Sequence, residues 1–446
     1  MNIFAIIFLL VNAAALLIVP RRWASLPLLV GTCYMTLNQG FEVGPFHFPI
    51  IRLLITSGLI RVIVRRERLI GGVNGLDRLI VIWSVWALVS SFFHEDPSQA
   101  LIFRLGLIFN ACGTYFLFRI FCQSIDDIKL LYYLTAILLL PVAVEMLYEQ
   151  LNINNLFHLL GGDISSPTIR LGRVRASGPF SSAILAGSIG AACLPFMIAL
   201  WEKYRILAIS GTMACSIMII SSASSGPIMS AMSAMMALFM WRYRHHMRLL
   251  RWLAVFLYIS LDIFMKAPAY YIMGHIDLTG GSTGWHRAAL IEHAISHLHE
   301  WWVAGTDYTR HWMPTGISWS PEQTDITNHY LQMGVLGGLP LLFLFIAILA
   351  KGFFFVGKTL RQVVEMPREN LFAIWTLGAS LFVHVVTFIS VSYFDQSFLF
   401  IYLTLAAIGS AYSCTLNNKT KDTQGYIHQY NGKDIVLGND ITIRSF

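Results

Sequence analysis

Long apolar blocks, many of them near the ~20 residues that cross a bilayer, dominate this chain and set what it can fold into. Hydrophobic residues make up 56% of the 446 positions and charged residues 12%, against roughly 25% charged residues in soluble domains. So few charges cannot cover so much apolar surface in water. The pattern excludes a soluble enzyme, a secreted disulfide scaffold and a disordered chain. It predicts an all-α, polytopic integral membrane protein, because a membrane barrel would show short alternating segments.

We expect about 13 transmembrane helices, judged by the length that a bilayer requires. They form a membrane domain, residues 1–414, followed by a polar tail, residues 415–446. Arg21 and Arg22 follow the first block instead of preceding it, so we expect a retained helix and not a signal peptide. The predicted spans are 3–20, 23–40, 46–64, 78–94, 103–121, 128–148, 181–201, 205–221, 226–242, 249–266, 330–356, 371–391 and 396–414.

Lys and Arg residues fall mostly in alternate linkers, on the side that also holds the tail. The positive-inside rule then predicts an outer N-terminus and a cytoplasmic C-terminus. The same rule accounts for the net charge of +7, so no nucleic-acid partner is expected. Only two outer segments are long, residues 149–180 and residues 267–329. We expect any chemistry to lie in these segments and the helix ends beneath them.

The shorter outer segment contains RLGRVRASGPF, which brings Arg170, Arg173 and Arg175 together on a side that is otherwise poor in positive charge. One interpretation is that they lie at the lipid headgroups with their stems in the apolar layer. The other is an anion site, because the guanidinium fork binds phosphate. A helix restarting after Gly178–Pro179 would add backbone donors to such a site.

The longer outer segment opens with GGSTGWHRAALIEHAISHLHEWW, which predicts a helix capped by Ser282 or Thr283 and running to about Trp302. Arg287 falls on its apolar stripe, where an unpaired charge is costly. We therefore expect it to bind a ligand, with a structural ion pair as the alternative. The other members of the stripe are Ile291, Ala294, Ile295, Leu298 and Trp302.

The opposite stripe of this helix carries His286, His293, His297 and Glu300. The His293–His297 pair has a spacing that suits zinc, but the glutamate of an HExxH motif is absent. A solvated polar face is the favoured interpretation, and we expect no metal.

A polar stretch then enters an apolar helix in SPEQTDITNHYLQMGVLGGLP. The candidates for its N-cap are Asp325, Thr327 and Asn328. His329 lies at the helix entry, as an interfacial anchor or as a general base. We expect a smooth face for close helix contact from Gly334, Gly337 and Gly338.

These strings together resemble the bacterial superfamily of O-antigen ligases and polysaccharide polymerases. The resemblance covers residues 165–350 and is carried by RLGRVRASGPFSSAILAG, TGWHRAALIEHAI, VAGTDYTRHW and DITNHYLQMGVLGGLPLLFLF. Two positions depart from the family pattern. Ser225 stands where the family has an arginine, and Thr327 precedes Asn328 where the ligases have a histidine, with His329 following instead.

The resemblance implies a metal-independent glycosyltransferase without a cofactor, in the bacterial cytoplasmic (inner) membrane. Its substrate would be a glycan on undecaprenyl diphosphate at the outer face, and membrane lipid, a chain-length regulator and a flippase would be its partners. The implied catalytic residues are Arg287, His329 and Asp325. The implied diphosphate-binding residues are Arg170, Arg173, Arg175, Arg310 and Asn328.

Three functions remain open, in order of preference. A polymerase would join lipid-linked repeat units, and the unusual Asn-His order favours it. A ligase would move the finished glycan to lipid A-core or another acceptor. A transporter or flippase is the third, favoured only by Arg52 and Arg104 near helix starts and opposed by the lack of an internal repeat.

Overall fold

The computed structural model describes residues 1–36, 38–161, 166–276, 284–317, 320–362 and 366–431, and it is 74% helical. This confirms a mostly helical chain of the predicted class. Within the described residues the α-helices are α1 Ile3–Ile18, α2 Ser25–Tyr34, α3 Ile50–Arg65, α4 Gly75–Ser90, α5 Pro97–Phe121, α6 Ile125–Asn152, α7 Ala183–Ala199, α8 Arg205–Ser221, α9 Ser225–Phe239, α10 Met247–Phe264, α11 Ile272–His275, α12 Gly284–Ser296, α13 Leu298–Trp301, α14 His329–Gln362, α15 Arg368–Thr387 and α16 Phe398–Asn431.

Six segments of the described chain are long and apolar enough to cross a membrane. These segments are Gly75–Phe93, Pro97–Phe121, Ile125–Asn152, His329–Gln362, Arg368–Thr387 and Phe398–Asn417. Helices α1, α7 and α8 are apolar but shorter. A membrane protein is therefore supported, while the number of 13 spans and their orientation stay predictions. Helix α16 continues well into the predicted tail, and residues 432–446 lie outside the described ranges.

Three antiparallel hairpins interrupt the helices in the described part of the chain. Their strands are β1 Gly40–Val43 with β2 Phe46–Pro49, β3 Thr168–Arg170 with β4 Arg173–Arg175, and β5 Gly316–Ile317 with β6 Ser320–Thr324. The first hairpin corrects the predicted span 46–64, since the helix there begins at Ile50. Gly44, with φ +59°, occupies a two-residue turn before Pro45, and this geometry suits a hairpin instead of a helix.

Helix α14 breaks at Gly337 (φ −157°) and Gly338 (φ +71°). The predicted smooth glycine face is therefore only partly right. Gly334 does allow close contact, since a Cβ there would stand 2.5 Å from the Trp301 ring. At Gly338 a Cβ would overlap the carbonyl group of Val303. The absence of a side chain at Gly338 therefore allows the backbone of Val303 to pack against α14. The residues after α13 dock against the break, where the Leu339 amide donates to the Trp302 carbonyl at 2.9 Å.

Several connecting segments meet at one end of the helix bundle, here called the loop end and comprising residues 153–161, 166–182, 301–317, 320–329 and 388–397. The side chain of Gln396 donates to the carbonyl oxygen of Pro179 at 2.7 Å. The backbone amide of His329 donates to the carbonyl oxygen of Phe388 at 2.9 Å. These contacts join parts of the chain that are far apart in sequence, and they build the surface on which the candidate site lies.

Candidate anion site at the loop end

The three arginines of RLGRVR share one face of the β3–β4 hairpin. Leu171 (φ +50°) and Gly172 (φ +72°) form a two-residue turn in which both residues have positive φ. The register pairs Arg170 with Arg173, so their side chains lie on the same face. Arg175 follows Arg173 by two residues and returns to that face. Like charges in such positions repel, and a bound anion would relieve the repulsion.

Contacts to the turn between α8 and α9 hold the base of this hairpin. Arg175 Nη2 donates to Ser224 Oγ at 2.5 Å. The next residue, Ala176, donates its backbone amide to the carbonyl oxygen of Ser221 at 3.0 Å. Arg175 thus reaches the turn between α8 and α9 and places a guanidinium there.

Arg287 on α12 lies beside this hairpin. Burial, followed by repulsion from Arg170 and Arg175, lowers the pKa of Arg287 to about 10. Burial and repulsion from Arg170 also lower the pKa of Arg175. The Nε atoms of Arg287 and Arg175 are both buried, and neither has a hydrogen-bond partner among the residues that the structure describes. The structure therefore brings together Arg170, Arg175 and Arg287, here called the arginine cluster.

Two fully buried arginines of the described chain form ion pairs with carboxylates. Arg119 is paired with Asp77 at 3.3 Å, and Arg61 with Glu67 at 2.8 Å. None of the described carboxylates forms an ion pair with a member of the arginine cluster. A buried cation normally has such a partner, since leaving it unpaired costs several kcal/mol. Arg175 and Arg287, each with a buried Nε, and the exposed Arg170 are therefore a candidate site for an anion that comes from outside the chain.

Helix α12 is shorter than predicted and ends at Ser296. Ser296 Oγ and His297 Nδ1 both lie within hydrogen-bond distance of the His293 carbonyl oxygen, and such bonds compete with a continuing helix. Its buried residues include Ala288, Leu290 and Ala294, while the predicted stripe residues Ile295, Leu298 and Trp302 are exposed. Arg287 is partly buried on this helix, as its predicted position requires. Residues 282 and 283, predicted to cap the helix, lie outside the described residues.

Asp325, Asn328 and His329, at the start of α14, differ in their burial and in their hydrogen bonds. Asn328 is the N-cap, because its Oδ1 accepts from the amides of Tyr330 (2.9 Å) and Leu331 (3.1 Å). His329 is buried, with its ring centroid 4.5 Å from that of Phe388 and its Nδ1 2.9 Å from the side-chain oxygen of Gln332. Asp325 is exposed. No contact joins any of these three to the arginine cluster in the described chain.

Two further arginines from the sequence analysis are not members of the arginine cluster. Arg310 Nη1 donates to the carbonyl oxygen of Met313 at 2.7 Å, so it braces its own loop. Arg173 is exposed next to the hairpin turn. On the hairpin face Arg173 adds positive charge, whereas Arg310 makes no contact with the cluster within the described residues. Their roles in binding stay predictions.

The turn at Gly178–Pro179 does not offer free helix donors as expected. The Glu149 carboxylate accepts from the amides of Ser177 (3.0 Å) and Gly178 (2.8 Å). The amide of Ser181 donates to Asp395 at 2.9 Å. The protein's own carboxylates thus occupy these donors, and the arginine cluster is left as the anion-binding feature of this segment.

The sequence analysis did not predict the β3–β4 hairpin or the hydrogen bond from Arg175 to Ser224. The signal was present, since two residues, Leu171 and Gly172, separate Arg170 from Arg173, and a glycine in such a gap is typical of a tight hairpin turn. Nothing in the sequence indicated Ser224, because its contact with Arg175 depends on the packing of the hairpin onto the α8–α9 turn.

Comparison with protein-family models, with curated protein sequences and with solved structures gave no match. The resemblance to the ligase and polymerase superfamily therefore rests on the motif residues alone.

Proposed function

We propose that this protein is a membrane glycosyltransferase that polymerises oligosaccharide repeat units carried on undecaprenyl diphosphate. The observation that carries the proposal is the arginine cluster, with two buried Nε atoms that lack partners and no paired carboxylate among the described residues. A diphosphate presents several anionic oxygens to such guanidinium forks. A lipid carrier also suits a site at the end of a bundle of apolar helices.

The chemistry requires one bond to form and one to break. The hydroxyl oxygen of the acceptor sugar attacks the anomeric carbon of the donor, and the bond from that carbon to the phosphate oxygen breaks. The lipid diphosphate leaves with the electron pair, and negative charge grows on it. Arg287, Arg175 and Arg170 would stabilise that charge without rearranging, which is the form of catalysis that contributes most in many enzymes.

The acceptor's proton must pass to a base, for which Asp325 and His329 are the candidates. Asp325 is exposed at the loop end, so an acceptor hydroxyl from solvent can reach its carboxylate. His329 is enclosed by aromatic rings, including those of Phe345 and Phe388, and would first have to be uncovered. We therefore assign the proton to Asp325 in this proposal, where a general base contributes about 10²–10⁴-fold.

The placement in the cell is part of the same proposal. The distribution of Lys and Arg puts the loop end outside the cytoplasmic membrane, where the lipid-linked glycan is displayed. No nucleotide-sugar domain is needed, because the sugar arrives already activated by its diphosphate. A flippase must supply the donor to this face, and a chain-length regulator is the natural partner of a polymerase.

The broken helix α14 also bears on the transporter alternative, since transporters use unwound helices to bind substrates at the midplane. Here the carbonyl oxygens freed by the break are already occupied. Arg104 donates to the Leu336 carbonyl, and Trp86 Nε1 donates to the Gly337 carbonyl at 2.8 Å. The break therefore anchors the residues after α13 and leaves no open ion site at these carbonyls.

The test uses the purified full chain with undecaprenyl-diphosphate-linked repeat units and no added energy source. Growth of the glycan together with release of lipid diphosphate is the expected result. Movement of intact lipid-linked sugar across a vesicle, with no new glycosidic bond, would instead establish a transporter.

A deletion strain separates the two transferase activities. Surface glycans reduced to single repeats indicate a lost polymerase, which is the expected result. Long chains that accumulate on the lipid carrier would indicate a lost ligase and would overturn the preferred acceptor.

A further inference from the structure

We propose that His297, Glu300 and His311 bind one divalent transition-metal ion, with Zn²⁺ as the best match. One ligand atom from each residue lies within 4.8 Å of the others. Two imidazoles and one carboxylate form a ligand set that proteins use for zinc. This group differs from the His293–His297 pair in the sequence analysis, because the side chain of His293 is not part of it.

The neighbouring residues prepare His297 to act as a ligand. His297 Nδ1 lies 2.8 Å from the carbonyl oxygen of His293, and a carbonyl can only accept a hydrogen bond. Nδ1 therefore carries the proton, and the neutral ring keeps its lone pair on Nε2. Metal-bound histidines in proteins are oriented in this way by a backbone or carboxylate acceptor.

Trp312 orients Glu300, the carboxylate of the ligand set. Its Nε1 donates to Glu300 Oε2 at 2.9 Å, which leaves Oε1 turned toward His311 Nε2, also at 2.9 Å. The buried Trp312 ring also stacks on the His297 ring, with centroids 5.9 Å apart. One indole thus fixes both a carboxylate and an imidazole, which is the support that a metal site needs.

The local fold explains why these residues meet. The helix break at His297 starts the single turn of α13, which brings Glu300 three residues later onto the same side. A 3₁₀ turn at Arg310–Trp312 then returns His311 to this position. Bond lengths of about 2.0–2.2 Å to zinc require the three ligand atoms to move about an ångström closer to one another. Their partial exposure leaves them room to do so, since Glu300 is 25% and His311 33% exposed.

The metal would stabilise the outer segment and would not take part in glycosyl transfer. His297 directly follows α12 and comes ten residues after Arg287, so the Cα atoms of the two residues are ~15 Å apart by the helical rise. Arg287 is not one of the ligands, and in this proposal the ion and a diphosphate held by Arg287 occupy separate sites. Its effect would be to join the end of α12 to the 3₁₀ turn.

The experiment uses the full-length protein in detergent, stripped with EDTA, dialysed and then titrated with Zn²⁺ and with Co²⁺. We expect one ion per chain and the visible absorption of Co²⁺ bound by nitrogen and oxygen. His297→Ala and His311→Ala should each weaken binding at least about tenfold, and Glu300→Gln, which keeps the size of the side chain, should do the same. His293→Ala is the matched control and should bind like the wild type.

Binding that is equal in the wild type and in His297→Ala would overturn the proposal, as would an absence of stoichiometric binding. The trio would then be a histidine–carboxylate ion pair. Size-exclusion profiles identify any variant that fails to fold. Because Glu300→Gln preserves shape, its Co²⁺ spectrum decides the outcome even if an alanine variant is lost.

Discussion

Arg175 on a β-hairpin and Arg287 on a helix more than a hundred residues later lie close enough that Arg175, after burial and Arg170, helps to lower the pKa of Arg287. Both are cations, and both keep a buried Nε that has no partner within the described part of the chain. Chains do not normally bury like charges together, because their repulsion adds to the loss of hydration. A bound anion would offset the repulsion between the two arginines and accept hydrogen bonds from them.

The first prediction is that Arg287→Lys folds normally and loses most transfer activity, with Arg287→Ala losing at least as much. Lysine keeps the charge but not the two-pronged fork. Removing one contact to a leaving group should lower the rate about 10²–10³-fold, by analogy with lost oxyanion donors. The measurement is the rate of lipid-diphosphate release at matched protein level. Arg205→Ala, at an exposed site on α8, is the control. Normal product from Arg287→Ala would refute the anion site.

The second prediction is that Arg287→Met unfolds at a higher temperature than the wild type while being inactive. Methionine keeps the length of the side chain and removes a desolvated charge, a gain of the order of 1–3 kcal/mol. Because the folded-state pKa is lowered, the penalty is fully present below about 10 and is relieved only as pH rises through that value. The gain should therefore be the same at about pH 6 and about pH 8.

Pyrophosphate provides the matching measurement for this pair of proteins. It should raise the unfolding temperature of the wild type by binding the folded state, and it should leave Arg287→Met unchanged. Equal stabilisation of both proteins would show that the anion binds elsewhere.

The third prediction concerns the hairpin turn. Gly172→Val should reduce transfer strongly, because a β-branched residue with positive φ is strained by about 1–3 kcal/mol and the turn would rearrange. Gly44→Val is the matched control, since Gly44 also has positive φ and a Cβ added at either glycine would have no neighbouring atom within 4 Å. Equal activities of the two variants would mean that the arginine positions on the hairpin are unimportant.

The fourth prediction is the orientation in the membrane. In a cysteine-free background, an impermeant thiol reagent should label a cysteine at Thr315 in intact spheroplasts and should not label one at Thr423. Thr315 is exposed on the segment before β5, so its labelling reports the side of the membrane and not burial. The reverse pattern would put the arginine cluster in the cytoplasm and exclude the proposed substrate.

The fifth prediction is that the transfer step itself needs no metal. In His297→Ala, which lacks the proposed zinc site, EDTA should leave the transfer rate unchanged, because arginines carry the charge of the leaving group. A rate that falls with EDTA in this variant and returns with one divalent ion would place a metal at the reacting diphosphate.

The helical class and the membrane location follow from the sequence because apolar blocks and their lengths are local properties. The arginines were also identified as anion-binding candidates from their local density in RLGRVR and from the apolar stripe around Arg287. The glycines of α14 were harder to interpret. Gly334 packs closely against Trp301 as predicted, but Gly338 breaks the helix, and the reason is a backbone contact with Val303 that no local pattern reveals.

The sequence by itself determined that this chain forms apolar helices and carries arginines in its two longer connecting segments, since hydrophobicity and charge belong to single residues. Only the tertiary structure decided which arginines meet, because a two-residue turn and the contact with Ser224 direct Arg175 toward Arg287. The tertiary structure also shows that His297 lies together with Glu300 and His311. The i, i+4 spacing in the sequence had indicated His293 as its neighbour instead. The physical reason is the same in both cases: electrostatic and ligand geometry depend on distances across the fold, and these are set by packing between segments that the helical period does not relate.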